Sequence, residues 1–256
     1  MRQPRRAVPR HGAGILRRIA LQSLPLTKTT FGNSHMNLLR NRPPRGVIIG
    51  ASAFIVILVI CYFFVDLPLA RAVHPYRDTT LYDWAKYLTD FGDAQWWLGP
   101  ALVIALVCLP FRRDISSKAM YVFCSICAAG IFNYLLKMFW GRARPSRYWA
   151  EDIYGFHFFE TNGSYFSFPS GHTVVFFAGF ASLGVLFPRV RIPLLVVAGC
   201  FSFTRVLVEM HYLSDVIAGA VEGTLIAYLL ASWWHRPKKP TVALEQTELE
   251  AETESA

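Results

Sequence analysis

Charge is scarce in this chain. Of 256 residues only 17% are Asp, Glu, Lys or Arg, against about 25% in an ordinary soluble domain, while 54% are hydrophobic and 15% aromatic. That balance argues against a plain soluble domain and excludes a disordered or collagen-like chain. Acid is missing from the first 65 residues, Asp66 being the first carboxylate. Cysteine is confined to Cys61, Cys108, Cys124, Cys127 and Cys200, each inside an apolar run. This is neither a disulfide framework nor a spread of soft metal ligands, and the Cys124/Cys127 pair reads as small apolar residues of a packed helix. No internal repeat is evident.

Long apolar runs take the place of charge. Gly46 to Val65 is twenty residues without a charge, which at ~1.5 Å per residue reaches ~30 Å, the hydrocarbon thickness of a bilayer. Ala119 to Leu136 and Val216 to Trp234 are two further clear spans, the latter interrupted by Glu222. Trp96 to Phe111, Thr173 to Phe187 and Ile192 to Val208 are weaker runs that complete a set of six. The expected fold class is therefore all-α: a polytopic membrane protein with about six transmembrane helices. Residues 46–235 form the membrane domain, 1–45 a basic disordered cytoplasmic head, and 236–256 an acidic disordered cytoplasmic tail. The acid-free head also has the composition of an organelle transit peptide, and Met36 offers a second start of translation.

Lysine and arginine orient the spans. Eighteen of the 26 fall in the head, the tail and the 112–118 and 189–191 connections; eight fall on the other side. The positive-inside rule then places both termini in the cytoplasm and the segments Asp66 to Gln95 and Gly141 to Phe168 outside. The net charge of +9 is thereby a topology signal. It calls for the bilayer as partner and for no nucleic acid. Oligomeric state leaves no mark in the sequence.

Polar groups within or beside spans need a reason, since an Arg, Lys or Asp at a helix centre costs at least ~2.5 kcal/mol. Lys137 ends the third span, with Arg144-Pro145 just beyond it. Pro169-Ser170-Gly171-His172 opens the fourth, and Arg205, His211 and Asp215 connect the fifth to the sixth. In the orientation above all three clusters meet at the outer face. Together they offer three cations, two histidines and a carboxylate, the set phosphoryl transfer needs. Lys137, Arg144 and Arg205 can neutralise nonbridging oxygens, and Ser170 and the Gly171 amide open a helix whose free N–H groups favour an anion. Asp215, four residues after His211, can hold one ring nitrogen and leave the other free to attack phosphorus. His172 is then the candidate proton donor to the departing oxygen.

These ten positions, Lys137, Arg144-Pro145, Pro169 to His172, Arg205, His211 and Asp215, resemble the three signature blocks of the type 2 phosphatidic acid phosphatases. That family also includes bacterial acid phosphatases and vanadium haloperoxidases. The resemblance covers roughly the C-terminal half of the chain. It implies a helical-bundle membrane phosphatase core, no cofactor, no obligatory metal and a phosphohistidine intermediate. It assigns the nucleophile to His211, orientation to Asp215, leaving-group protonation to His172, and phosphate binding to Lys137, Arg144, Ser170, Gly171 and Arg205. Thr204 stands where the third block usually has serine, and keeping the hydroxyl implies tuning rather than loss.

Besides Thr204, the supporting positions are Arg142, Asn133 and Glu222. Arg142 is an extra cation beside the first block. Asn133, one turn before Lys137, orients it or bonds a neighbouring helix. Glu222, seven residues beyond Asp215, lies on nearly the same helix face, either beneath the site or bonded to another helix. Gly219 and Gly223 have the spacing of close helix packing. The segment Leu88 to Asp93, with Trp96 and Trp97, is read as a rim or as an interfacial turn. The aromatic segment from Tyr148 to Phe159 reads as a rim for lipid chains or as membrane seating.

The expected activity is hydrolysis of a lipid phosphate at the external membrane face, in a bacterium the periplasmic leaflet of the inner membrane. Undecaprenyl pyrophosphate, phosphatidylglycerol phosphate, phosphatidic acid and lipid A phosphates are the substrates the resemblance implies. A lipid-to-lipid phosphotransferase would use the same residues, and a non-catalytic lipid-phosphate binding or transport protein is the reading from another class.

Overall fold

The computed structural model describes residues 45–234; the basic head, Met36 and the acidic tail fall outside the described residues. Nine α-helices account for most of that stretch. They are α1 (Arg45–Ile60), α2 (Asp66–Val73), α3 (Thr80–Thr89), α4 (Gln95–Cys108), α5 (Arg113–Trp140), α6 (Pro145–Glu151), α7 (Gly171–Leu186), α8 (Arg191–Leu207) and α9 (Leu213–Trp234). Among the described residues there is no β-strand, only an isolated bridge between Arg142 and Phe156.

Five helical stretches are long and apolar enough to cross a membrane: Arg45–Tyr76, Thr80–Cys108, Arg113–Trp140, Pro188–Leu207 and Leu213–Trp234, with Gly171–Leu186 shorter. The surface is correspondingly apolar. Ile49, Phe63, Phe64, Val107, Ile131, Leu135 and Leu229 are all exposed, an outward face that matches hydrocarbon rather than water. Glycine, alanine and serine are frequent among the buried residues, beside a few large side chains such as Tyr121, Ile126 and Phe176.

One expected boundary moves. Residues 66–95, read from the sequence as an external connection, are mostly helical, because α1 continues through the wider turn Cys61–Val65 into α2 without a break. Asp66 does not end the span: its charge is met inside the protein by Arg142, so the helix can carry it inward.

The α7 helix sits at the centre and packs against α9, α8 and α5. Its partners approach closely because the contact faces are small. A Cβ added at Gly223 would lie 2.5 Å from the Val174 carbonyl oxygen and 2.8 Å from the Ala178 nitrogen, and one at Gly219 would lie 2.7 Å from the Ser170 oxygen. This is the close packing read from their spacing, with backbone nearly touching backbone. Beneath the site, Tyr121, Ile126, Ala129, Val174 and Ala178 form the buried core, and the Tyr121 hydroxyl donates to the Ala227 carbonyl at 2.9 Å, tying α5 to α9.

Gly223→Ala is expected to lower the thermal midpoint in detergent, at a cost of about 1–3 kcal/mol, because neither opposing backbone atom can yield. Gly130→Ala, where a Cβ would meet nothing within 4 Å, is expected to leave the midpoint unchanged or raise it, since alanine favours a helix by about 1 kcal/mol.

Candidate active site

The site is assembled where α5 ends and α7 and α9 begin. Gly141 terminates α5 in the left-handed conformation, φ 54°, with its N–H on the Lys137 carbonyl. A Cβ there would fall 1.9 Å from the His157 oxygen, so only glycine allows the chain to reverse at this point. The reversal turns Arg142 inward.

Arg142 is completely buried, and its guanidinium bridges two equally buried carboxylates. Nη2 meets Asp66 Oδ2 at 2.7 Å, and Nη1 meets Asp215 Oδ1 and the Ser214 hydroxyl. Four rings surround it, with centroids 5.1 Å away for Tyr62, 5.5 Å for Tyr154, 5.3 Å for Phe156 and 4.5 Å for Tyr212. Burial works against its charge, but Asp215 and Asp66 more than offset that and raise its pKa above the usual arginine value. Burial likewise pushes the Tyr154 and Tyr212 phenols up, keeping both neutral. Asp66 also accepts the Ser214 amide at 2.9 Å, so it holds the N-terminus of α9 as well as the arginine.

His211 lies in the turn before α9 and is almost wholly buried. Its Nδ1 is 2.7 Å from the Ser167 carbonyl oxygen. A carbonyl can only accept, so that nitrogen carries the proton and Nε2 keeps a free lone pair. Asp215 Oδ2 stands 3.7 Å from the same Nδ1 and accepts from the Ser167 hydroxyl at 2.6 Å and the Tyr212 amide at 2.8 Å. Asp215 thus fixes the Ser167 strap and the turn, and Ser167 holds the ring. Burial, followed by the fields of Lys137 and Arg205, lowers the His211 pKa well below its usual 6.5 although Asp215 pulls the other way.

The cations converge from separate elements. Lys137, in the last turn of α5, donates to the Phe166 carbonyl at 2.7 Å. Arg144 makes a long contact to the Met210 sulfur at 3.8 Å, and Arg205 donates from Nη1 to the Thr89 hydroxyl at 3.1 Å. Both arginines have a buried Nε–H without a partner. An unpaired buried donor costs roughly 1–3 kcal/mol, which an anion would remove. Burial also lowers the Arg144 pKa, partly offset by Asp215. Ser170 precedes α7, with its amide donating to the Asp215 carbonyl at 3.0 Å and its hydroxyl accepting from Thr173 at 3.0 Å; Gly171 opens that helix. Ser170 therefore supports the turn that opens α7.

His172 Nε2 meets Asp93 Oδ1 at 3.0 Å. The segment 88–93 is thus a wall of the site: Thr89 holds Arg205, Asp93 holds His172, and Gly92 lies against the His172 side chain, where a Cβ would come within 2.8 Å. Thr204 is turned away, its hydroxyl donating to the Phe201 carbonyl at 2.6 Å, so the expected tuning of phosphate contact gives way to a helix back-bond. Asn133 does not orient Lys137 directly: its Nδ2 reaches Glu222 Oε2 at 3.0 Å and the Pro169 carbonyl at 3.4 Å. Glu222 is thereby a helix-to-helix partner beneath the site. Arg142 is enclosed and cannot touch substrate.

Sequence reasoning missed Asp66 and Ser167, and it read Asp93 within a rim segment without giving it a partner. The signal for Asp66 was present: the first acid in the chain, set directly after an uncharged run, and an extra arginine elsewhere without an assigned partner. Ser167 holds the ring through its carbonyl, which any residue would offer, and its hydroxyl bond to Asp215 leaves no trace in spacing. Among the described residues no group of three or more His, Cys, Asp or Glu converges as a metal-ligand set.

The family model of the PAP2 superfamily matches residues 118–239. Two curated relatives are lipid A 1-phosphatases. The Rhizobium johnstonii protein is 32% identical over 69% of this chain and 75% of its own length, and the Rhizobium etli protein 32% over 65% and 75%. Two crystal structures share the fold. A transmembrane PAP2-type phosphatidylglycerolphosphate phosphatase from Bacillus subtilis has a TM-score of 0.54 at 19% identity, over 74% of this chain and 98% of that one. Aquifex aeolicus LpxE has a TM-score of 0.51 at 21% identity, over 66% and 96%.

Arg142→Met leaves Asp66 and Asp215 buried without a countercharge, a loss of about 3–5 kcal/mol for a broken buried pair. A clear drop in the detergent thermal midpoint is expected, with a smaller drop for Asp66→Asn, which keeps the shape and removes one charge. Equal midpoints for wild type and Arg142→Met would show that the pair is not structural.

Proposed function

We propose, for a membrane chain that belongs to the PAP2 superfamily, that it hydrolyses a lipid phosphate through a covalent phosphohistidine at His211. The observation that carries this reading is the state of His211: its Nδ1–H is spent on a carbonyl and its free Nε2 lies in the field of Lys137 and Arg205. In the first step Nε2 attacks phosphorus and the bond to the lipid oxygen breaks. The electron pair goes to the departing oxygen, which takes a proton from His172. In the second step water gives a proton back to His172 and attacks the phosphohistidine, the N–P bond breaks with its electron pair on Nε2, and phosphate leaves with both histidines restored. Lys137, Arg144, Arg205 and the first amides of α7 neutralise the nonbridging oxygens, so the chemistry needs no metal. Asp93 acts as a positioning residue for His172.

The lipid A 1-phosphatase relatives favour a lipid A phosphate over undecaprenyl pyrophosphate, phosphatidylglycerol phosphate or phosphatidic acid. The lysine and arginine distribution supports a site at the external face of a bacterial inner membrane with both termini cytoplasmic. A lipid acceptor in place of water would make the same site a phosphotransferase, and product analysis separates the two.

Phosphate release in detergent from a panel of these lipids, with EDTA present, is expected from wild type and is expected to disappear in His211→Ala. Binding without release in wild type would point instead to a lipid-phosphate carrier, and labelled phosphate on a second lipid to the transferase.

The pH profile supplies a second test. His211 must be neutral to attack, and burial holds its pKa below 6.5, so its lone pair stays available as pH falls through 6.5 and is protonated only below the lowered pKa. After correction for the lipid phosphate's own second ionisation, near ~6, the acid limb of kcat/KM is expected below pH 6.5. An acid limb above that value would contradict a buried, cation-flanked nucleophile.

A further inference from the structure

A groove of about 710 Å³ runs between α1, α5 and α9, lined by Phe54, Leu58, Phe132, Trp140, Pro169 and Leu225 among others. Its upper end adjoins the site: Pro169 is next to Ser170 in the chain, Trp140 next to Gly141, and Asn133 bonds both the Pro169 carbonyl and Glu222. Phe132, Leu225 and Leu229 are exposed on the membrane-facing surface. Along α9 the groove extends from Ala218 to Leu229, ~16 Å at the helical rise, close to one leaflet of a ~30 Å hydrocarbon core. Length, apolar lining and continuity with the phosphate site fit one hydrocarbon chain of a lipid whose headgroup lies among the cations.

The lining contains one acid. Glu222 is only 7% exposed, its Oε2 accepts from Asn133 at 3.0 Å, and its Oε1 is buried without a partner. An unpaired carboxyl oxygen against hydrocarbon is costly, and an unsubstituted alkyl chain would leave it so. A hydroxyl satisfies it whichever protonation state the carboxyl adopts, because a hydroxyl both donates and accepts. Glu222 lies one turn below Ala218, ~6 Å inside the upper end, so the hydroxyl must sit near the head of the chain. Asn133 also reaches the Pro169 carbonyl, which ties the carboxyl to the wall of the site.

We propose that this groove binds one hydrocarbon chain of the substrate and that Glu222 selects a chain bearing a hydroxyl near the headgroup. The assignment rests on the lipid phosphatase reading for the origin of the chain and goes beyond it in naming a determinant of chain chemistry.

The test uses two lipid phosphates with one headgroup that differ in a single chain hydroxyl close to it. Turnover is measured on wild type, Glu222→Gln and Glu222→Leu in mixed micelles, and affinity on His211→Ala protein. Wild type is expected to prefer the hydroxylated lipid at least tenfold in kcat/KM, mainly through KM, and His211→Ala protein to bind it at least tenfold tighter. Glu222→Gln, still able to donate and accept, retains a preference; Glu222→Leu reduces it below twofold. Equal kcat/KM and equal affinity for the two lipids would overturn the proposal. So would a Glu222→Leu protein that slows on both lipids alike with the ratio intact, since Glu222 would then serve packing or a trapped water. Should Glu222→Leu fail to fold, the wild-type ratio and the Gln variant decide. Tenfold selective binding without hydrolysis of either lipid would keep the groove assignment and sink the phosphatase reading; hydrolysis of both without preference would do the reverse.

Discussion

The bridge from Arg142 to Asp66 and Asp215 holds the site together. Three charges are buried where water cannot solvate them, so each needs the others to be tolerated. Its consequence is positional. Asp66 comes from the first span, Arg142 from the turn after α5, and Asp215 from the first turn of α9. One guanidinium therefore fixes three segments distant in sequence, and the aromatic cage of Tyr62, Tyr154, Phe156 and Tyr212 prevents it from turning elsewhere. His211 inherits its orientation from this arrangement through Ser167, whose hydroxyl is anchored on Asp215 and whose carbonyl holds the ring.

The rest of the architecture separates two kinds of interior. Toward the middle of the bundle, glycine and alanine let α7 and α9 approach backbone to backbone. At one end the same helices begin together beside the end of α5, with lysine and arginine supplied by neighbouring elements. A membrane phosphatase needs both: an apolar body that seats it among lipids and a charged end where a phosphate can be held.

Between these two ends lies the lipid-facing groove, and Glu222 is its polar exception. Arg144 and Arg205 keep buried Nε–H donors without a partner, and Glu222 keeps a buried carboxyl oxygen without one. The two kinds of unpaired group lie at different depths, as the phosphate and the chain of an amphiphile do. The rim from Thr89 to Asp93 completes the phosphate end by bracing Arg205 and His172.

Much of this protein was legible without coordinates, for definite reasons. Apolar run length is a local property, so spans such as α1, α5 and α9 could be read directly, and charges within or beside them pointed to Lys137, Arg144, His172, Arg205, His211 and Asp215 because bilayers tolerate such groups only with cause. The weaker runs gave helix ends only to within a few residues, since a short span and a buried core helix look alike. Pairings were another matter. That Asp66 would reach Arg142, that Asp215 would act on His211 through Ser167, that Asn133 would bind Glu222 instead of Lys137, and that Thr204 would turn away all depend on separations of dozens of residues or on a single rotamer. No periodicity records such distances. They follow from how closely the helices approach and which way each chain turns at its end, and those are properties of the packed bundle.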